Sequence, residues 1–284
     1  MKILMHFKYH LISFCLALSI NSLFAQKNLN NNGKPHGTLI VSLICKDGIL
    51  IASDSRASFT IDKVEEEIVY AYIENQQKIF SLKNFKMGMS GVSMIGKKFL
   101  FEITEDFNKK LKKDSIIEYS FRQFLNYLNT ELDVQYSTIF KENQFILAGY
   151  ENSQPLTLGL SSKRRVETNK LGGMIHSDSK FKGYLSEYTH IDLTCKNFAP
   201  LLESAMYKFA KDRNDNKIGG PIHIIQISPN NSFIEIKSLD NVTFKNYKEF
   251  AEAIINNKLK VKYLFSYSEE LLKKTLKEGI KLGY

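Results

Sequence analysis

Cysteine is scarce in this chain, with three among 284 residues, and Cys15 falls in a leading segment expected to be removed. The other two, Cys45 and Cys195, are too few for a disulfide framework. They are expected to be two separate buried thiols, with a pairing between them left open, because Cys45 ends a dense apolar run and free cysteine behaves as a small hydrophobe. Histidine is equally thin. Its six copies are scattered, and neither His190-Ile-Asp192 nor His223 has a partner at the spacing a zinc site needs. Asp212-Arg-Asn214-Asp-Asn216 imitates the opening of a calcium loop, but Lys217 stands where the sharp turn requires glycine and His223 where the bidentate glutamate belongs. No metal and no cofactor is therefore expected. A glycine-rich phosphate cradle, a Cys-x-x-Cys pair and a Gly-x-Ser-x-Gly elbow are all missing.

Hydrophobic residues make up 43% and charged residues 24%, enough for a folded core and far from a disordered or collagen-like composition. The formal charge of +9 would suit a polyanion or a membrane surface. Four of the basic residues, Lys2, Lys8, Lys27 and Lys34, sit ahead of Thr38, where there is no acid, so the chain from Thr38 onward has a net charge of about +5. The basic excess is spread along the chain, and no nucleic acid partner is expected.

Lys2 and Lys8 precede the apolar stretch from Leu11 to Ile20, and Ala25 offers a small residue before Gln26. This is the pattern of a secretory signal cut after Ala25, which implies a secreted or periplasmic protein. The apolar run is short of the ~20 residues a membrane span requires, and Phe14 ahead of Cys15 disfavours lipidation. No later run is long and apolar enough to cross a bilayer, so no membrane association is expected once the signal is removed.

Residues 26–37, QKNLNNNGKPHG, have one apolar side chain and form a propeptide or linker. From Thr38 the composition changes abruptly. Leu39 to Cys45, the Lys46-Asp47-Gly48 turn and Ile49 to Ala52 predict a hairpin, and its near-continuous apolarity predicts strands covered on both faces. A polar stretch with the acid run Glu65 to Glu67 follows, then strands at 78–82 and 85–89, helices at about 93–112 and 116–134, and strands at 145–150, 156–160 and 166–171. A helix at about 197–212 and strands at 221–227 and 232–236 complete an α+β domain over 38–239, with helices outside the sheets. Residues 240–284 read as a C-terminal helical extension whose basic end presents a solvated face.

One junction carries chemistry. Gly37-Thr38 stands where the polar stretch meets a buried strand, and cleavage between them would put a hydroxyl and a free α-amine on one residue. An α-amine titrates near ~7.7–8.0, so at neutral pH it can take the hydroxyl proton directly or through a water. β-Branching restricts χ1 of Thr38 and aims its oxygen, while Gly37 lacks a Cβ and suits the strained turn in which Thr38 attacks the preceding carbonyl.

Gly37-Thr38, Lys46-Asp-Gly48 and Ala52-Ser-Asp54-Ser-Arg56-Ala57 together resemble the start of a proteasome β-type subunit of the N-terminal nucleophile hydrolase family. Lys78-Ile, Met89-Ser-Gly91, Leu147-Ala-Gly-Tyr150 and Asp215 ahead of Gly219-Gly220 extend the resemblance to about Ile236. It implies a four-layer αββα sandwich and the catalytic set Thr38, Asp54, Lys78, Gly91 and Asp215, with Arg56 in support. Lys78 would favour loss of the Thr38 proton, Asp54 would keep that lysine charged, and the Gly91 N–H would stabilise the oxyanion, a contribution of ~3 kcal/mol for one such donor. Ser58 and Gly91 would pair with an extended substrate, and Ala57, Gln76, Phe80, Met89 and Ser93 would line the pocket for the residue before the scissile bond.

The resemblance implies a self-cleaving threonine hydrolase acting on a peptide or a small amide, with homo-oligomer formation left open. Two positions depart from the family pattern. Ile218 and Gly173 stand where serines normally organise the α-amine and its water. Two rival expectations follow, a catalytically inactive exported binding or scaffold protein and an amidase for a non-peptide amide.

Overall fold

A computed structural model describes residues 37–283, apart from 64–65, 92, 96–97, 112–115, 163–164, 186–192, 215, 241–243 and 245. The expected signal, the expected propeptide up to residue 36 and Asp215 lie outside the described residues.

Strands β1 (Ile40–Cys45) and β2 (Gly48–Asp54) are buried at every position, as their unbroken apolar sequence predicts. They pair antiparallel from Ile40 opposite Ser53 to Cys45 opposite Gly48. The turn glycine is required by packing, because a Cβ on Gly48 would lie 2.7 Å from the Ile227 carbonyl oxygen. A second hairpin follows, β3 (Ala57–Lys63) and β4 (Glu66–Ile73), so Glu66 and Glu67 of the acid run open β4.

Next come β5 (Ile79–Leu82) and β6 (Phe85–Gly91), then the short strands β7 (Met94–Ile95) and β8 (Lys98–Phe99). The helix expected from about residue 93 begins only with α1 (Leu100–Lys110). Met94 and Phe99 explain the difference, since both are buried in a cluster with the C-terminal segment, and that tertiary contact overrides local helix preference. Helices α2 (Ile117–Leu132) and α3 (Tyr136–Glu142) lead to β9 (Asn143–Glu151), β10 (Gln154–Leu160) and β11 (Arg165–Thr168). Beyond them lie β12 (Met174–His176), a 3-10 turn (Ser179–Tyr184), α4 (Cys195–Arg213), β13 (Ile222–Ile227) and β14 (Phe233–Lys237).

Two five-stranded antiparallel sheets result, with orders β12-β1-β2-β13-β14 and β11-β10-β9-β6-β5. Ile40, Ile44, Ile49 and Ile51 of the first meet Ile79, Ile146 and Ala148 of the second in one apolar cluster. A second cluster joins alternate residues of β1, β2 and β13 to Phe198, Leu202, Met206 and Phe209 of α4. A third joins Met87, Met89, Phe145 and Leu147 to Ile103 and Phe107 of α1 and to Phe121, Phe124 and Leu128 of α2. The alternation of side chains along each strand thus serves two different apolar layers.

The extension contains α5 (Tyr247–Ile255), the two-residue strand β15 (Lys262–Tyr263) and α6 (Ser268–Lys281). Its apolar face is not solvated. Tyr247, Phe250, Leu272 and Leu276 bury themselves with Phe59, Tyr70 and Ile73 of the β3–β4 hairpin, and β15 adds a strand to β4. Phe59 and Phe250 stack at 6.2 Å. The lysines expected on a solvated face do lie on the outer side, with Lys274, Lys277 and Lys281 exposed and Lys273 half-buried.

Candidate active site

The site forms at the open end of the β1–β2 hairpin, where β1 begins and β2 stops. Asp54, the last residue of β2, is wholly buried, and its carboxylate is saturated with donors. Oδ1 accepts the Leu39 N–H at 2.8 Å and the Lys78 ammonium at 3.2 Å. Oδ2 accepts the N–H of Gly219 at 2.9 Å and that of Arg56 at 3.3 Å. A buried charge is tolerated only when it is paired and hydrogen-bonded in this way.

Lys78, directly ahead of β5, is 3% exposed. Besides Asp54, its Nζ donates to the Arg56 carbonyl and, at 2.8 Å, to the Gly37 carbonyl oxygen. The Thr38 hydroxyl is turned back onto the same Gly37 oxygen. A hydroxyl, the carbonyl preceding it and an ammonium hydrogen-bonded to that carbonyl therefore occupy one spot, with Gly37 and Thr38 half-buried. Burial pushes the Lys78 ammonium below the ordinary lysine range, with the Asp54 charge opposing. Burial likewise pushes the Asp54 carboxyl up, opposed first by Lys78 and then by the backbone N–H groups of Gly219 and Leu39.

Glycines make the close approach possible. Gly37 has φ +98°, and a Cβ there would meet the Lys217 carbonyl oxygen at 2.7 Å. Gly219 has φ +151°, and its Cα faces the Arg56 guanidinium, 2.7 Å from where a Cβ would stand. Its carbonyl accepts the N–H groups of Ser55 and Arg56, so the double-glycine loop clamps the end of β2. Arg56 is fixed further by Glu74 at 2.8 Å and by the Tyr72 ring 3.9 Å beneath its guanidinium.

The resemblance set out above drew together Thr38, Asp54, Lys78 and Arg56, and these four adjoin one another. Gly91 ends β6 half-buried with φ +130°. Gln76, Phe80 and Ser93 line one cleft beside the Lys78 strand. Ala57 and Met89 do not. Both are packed in apolar clusters, Ala57 with the C-terminal extension and Met89 with the α1–α2 face. Ser58 lies on the edge strand of its sheet with its hydroxyl already donated to the Asn216 carbonyl at 2.9 Å.

The two missing serines have physical reasons. Ile218 is a buried member of the α4 cluster. Gly173 has no space for a side chain, since a Cβ would come 2.7 Å from the Lys170 carbonyl oxygen and closer still to the Thr168 hydroxyl. Two serines not anticipated from sequence stand at Thr38 in their place. Ser90 Oγ donates to the Thr38 carbonyl at 3.0 Å, and Ser177 Oγ approaches the same oxygen at 3.4 Å while accepting the Ile40 N–H at 2.9 Å. Ser90 adjoins Gly91 and was within reach of sequence reasoning; Ser177 has no local signal. The cysteines are the unpaired buried thiols expected from sequence. They adjoin, and contact with the Cys45 side chain, then burial, raises the Cys195 thiol. Among the described residues no group of three or more histidine, cysteine or acidic side chains is arranged to hold a metal ion. No helix of the described residues is long and apolar enough to cross a membrane.

The arrangement can thus present a hydroxyl to an adjacent carbonyl under a buried ammonium. No family model matches the chain, and no curated protein matches it. Among solved structures, an Anbu (Gly-1) mutant from Hyphomicrobium sp. strain MC1 is similar at 12% identity and TM-score 0.47, over 87% of this chain and 96% of that one. Anbu, described as an ancestral β-subunit, from Yersinia bercovieri is similar at 12% identity and TM-score 0.47, over 86% and 95%. Neither likeness bears on chemistry.

Proposed function

We propose that this chain is an exported threonine-type N-terminal nucleophile hydrolase on an αββα sandwich, which frees Thr38 by cutting its own Gly37–Thr38 bond. The observation that carries the proposal is the convergence of the Thr38 hydroxyl and the Lys78 ammonium on the Gly37 carbonyl oxygen, with Asp54 behind the lysine. In self-cleavage, Thr38 Oγ adds to the Gly37 carbonyl carbon and its proton passes to the departing Thr38 nitrogen. The negative charge developing on the Gly37 oxygen is met by the Lys78 ammonium. Collapse breaks the C–N bond and leaves an ester, which water hydrolyses to a Gly37 carboxylate and a free Thr38 amine.

That amine then serves as base for the next attack, on the carbonyl of a peptide or small amide substrate, through an acyl-enzyme ester on Thr38. Lys78 keeps its place beside the hydroxyl, and the Gly91 N–H faces the new oxyanion. Ser177 and Ser90, held against the Thr38 carbonyl, take the organising role of the serines replaced by Ile218 and Gly173. Intact-mass measurement of purified protein tests this. The expected product begins at Thr38. Thr38→Ala is expected to keep its thermal midpoint within a few degrees, retain the residues ahead of position 38 and lose labelling by electrophiles that trap threonine hydroxyls. A wild-type chain that keeps its Gly37–Thr38 bond after long incubation would overturn the proposal and leave a binding or scaffold protein.

A further inference from the structure

The segment that begins and ends the substrate cleft comes from opposite parts of the sequence. The cleft is lined by Gln76 and Phe80, which flank Lys78 in the chain, and by Ser93, two residues beyond Gly91. At ~3.3 Å per extended residue, Gln76 stands one side-chain repeat from the lysine that holds the Gly37 carbonyl. Phe99, Phe101 and Phe244 line the cleft as well, and it is narrow and opens to solvent.

Phe244 belongs to the C-terminal extension. Its ring is not free to swing. It lies 6.2 Å from Phe99 and packs edge-on against Phe250 at 5.3 Å, while Phe250 also packs edge-on against Phe99 at 5.1 Å. An isolated bridge between Lys98 and Asn246 ties the backbone on either side. A side chain entering the cleft therefore meets a wall anchored in a buried cluster, and displacing it would disturb three rings at once. Gln76, which lines the same cleft, is 7% exposed, and its Nε2 is among the buried polar atoms with no hydrogen-bond partner. A buried donor left unpaired costs free energy that an incoming acceptor would recover.

We propose that Phe244 is a specificity-determining residue that closes the cleft against wide side chains, and that the cleft takes an unbranched side chain with an apolar stem and a carbonyl acceptor near its tip, of the glutamine type. This rests on the Thr38 hydrolase proposed above and names the class of residue it accepts before the scissile bond. Phe244 acts on the substrate's side chain and not on the reacting atoms. Gln76 supplies the donor.

The test uses full-length protein and a set of short peptidyl electrophiles that differ only in the last residue, glutamine, norleucine or naphthylalanine. Wild-type chain is expected to be labelled on Thr38 about 10-fold faster by the glutamine probe than by the norleucine probe, and about 100-fold slower by the naphthylalanine probe. Phe244→Ala should raise the naphthylalanine rate relative to norleucine by about 10-fold or more, and Gln76→Leu should abolish the preference for glutamine over norleucine. Phe244→Leu, which preserves an apolar side chain in the cluster, repeats the comparison should the alanine variant not fold.

Labelling of Thr38 with the same probe order in wild type and in every Phe244 variant would overturn the role of Phe244 while leaving the hydrolase intact. Failure of every probe to label wild-type Thr38 would overturn the hydrolase, and the cleft is then read by binding. The chain has no tryptophan, so Phe244→Trp installs a single reporter. A saturable emission shift with N-acetylglutamine amide that norleucine amide does not match supports the cleft assignment, and an unchanged emission with both removes it.

Discussion

The two ends of the β1–β2 hairpin share a strand pair buried at every position yet hold opposite kinds of chemistry. At the open end, Asp54 and Lys78 are two charges withdrawn from water and bonded to each other, and five further hydrogen bonds with backbone groups surround them. At the turn end, Cys45 and Cys195 lie side by side with no charge between them, and Asp47 accepts the Cys195 N–H at 2.7 Å where α4 begins. One end buries its charges and depends on every partner; the other buries only neutral side chains and leaves Lys46 and Asp47 exposed at the turn. The contrast locates function by expense: a fold that needed only stability would have filled both ends as it filled the turn.

The sharpest way to break the contrast is Lys78→Met. Removing one member of a buried pair leaves Asp54 uncompensated, and a loss of about 3–5 kcal/mol is expected in denaturant unfolding, together with loss of cleavage at Gly37–Thr38. A double change, Lys78→Met with Asp54→Asn, should recover part of the stability and none of the cleavage. Unfolding data that show Lys78→Met to be as stable as wild type would mean that the pair is not the costly feature assigned to it.

A milder change at the other end sharpens the comparison. Cys45→Ala removes one small buried side chain and should cost about 1 kcal/mol while leaving the rate of self-cleavage unaltered. Slowed processing in that variant would show the two ends to be coupled through the strands.

The smallest effect concerns His223, which pairs with Ser53 across β2 and β13, one residue from Asp54. Its ring is buried, and neither nitrogen has a hydrogen-bond partner. Burial lowers its pKa, Glu235 at 3.7 Å opposes this, and the Lys86 charge adds to the lowering. The folded chain thus prefers the neutral imidazole, while the unfolded chain takes up a proton near pH ~6.5. Stability should therefore fall as pH drops through about 6.5, and His223→Phe should flatten that limb of the stability curve. Identical pH profiles for the two proteins would remove His223 as the cause.

Much of the site was legible because its residues lie in short, ordered stretches. The Asp47-Gly48 turn fixes the register of β1 and β2, and that register alone brings Asp54 back to Leu39. Lys78 could be placed only through family resemblance, since nothing in its own neighbourhood marks a lysine that will be buried. Ser177 escaped because it reaches Thr38 across 139 residues, and the apolar clusters that hold Ala57 and Met89 are assembled from partners far away in sequence. The β7–β8 pair was hidden for a related reason. Its Phe99 is claimed by Phe244 and Phe250, partners that no local window contains.

The stacking of Phe59 on Phe250 joins an early hairpin to a late helix. During synthesis the outer surface of that hairpin must wait, uncovered, until the chain has emerged from the ribosome past Phe250. Contacts spanning so much sequence form slowly, and a chain stopped short of α5 would expose Phe59 and Tyr70 to other molecules. Maturation of this protein is therefore expected to be gated by the arrival of α5 and α6 on the hairpin.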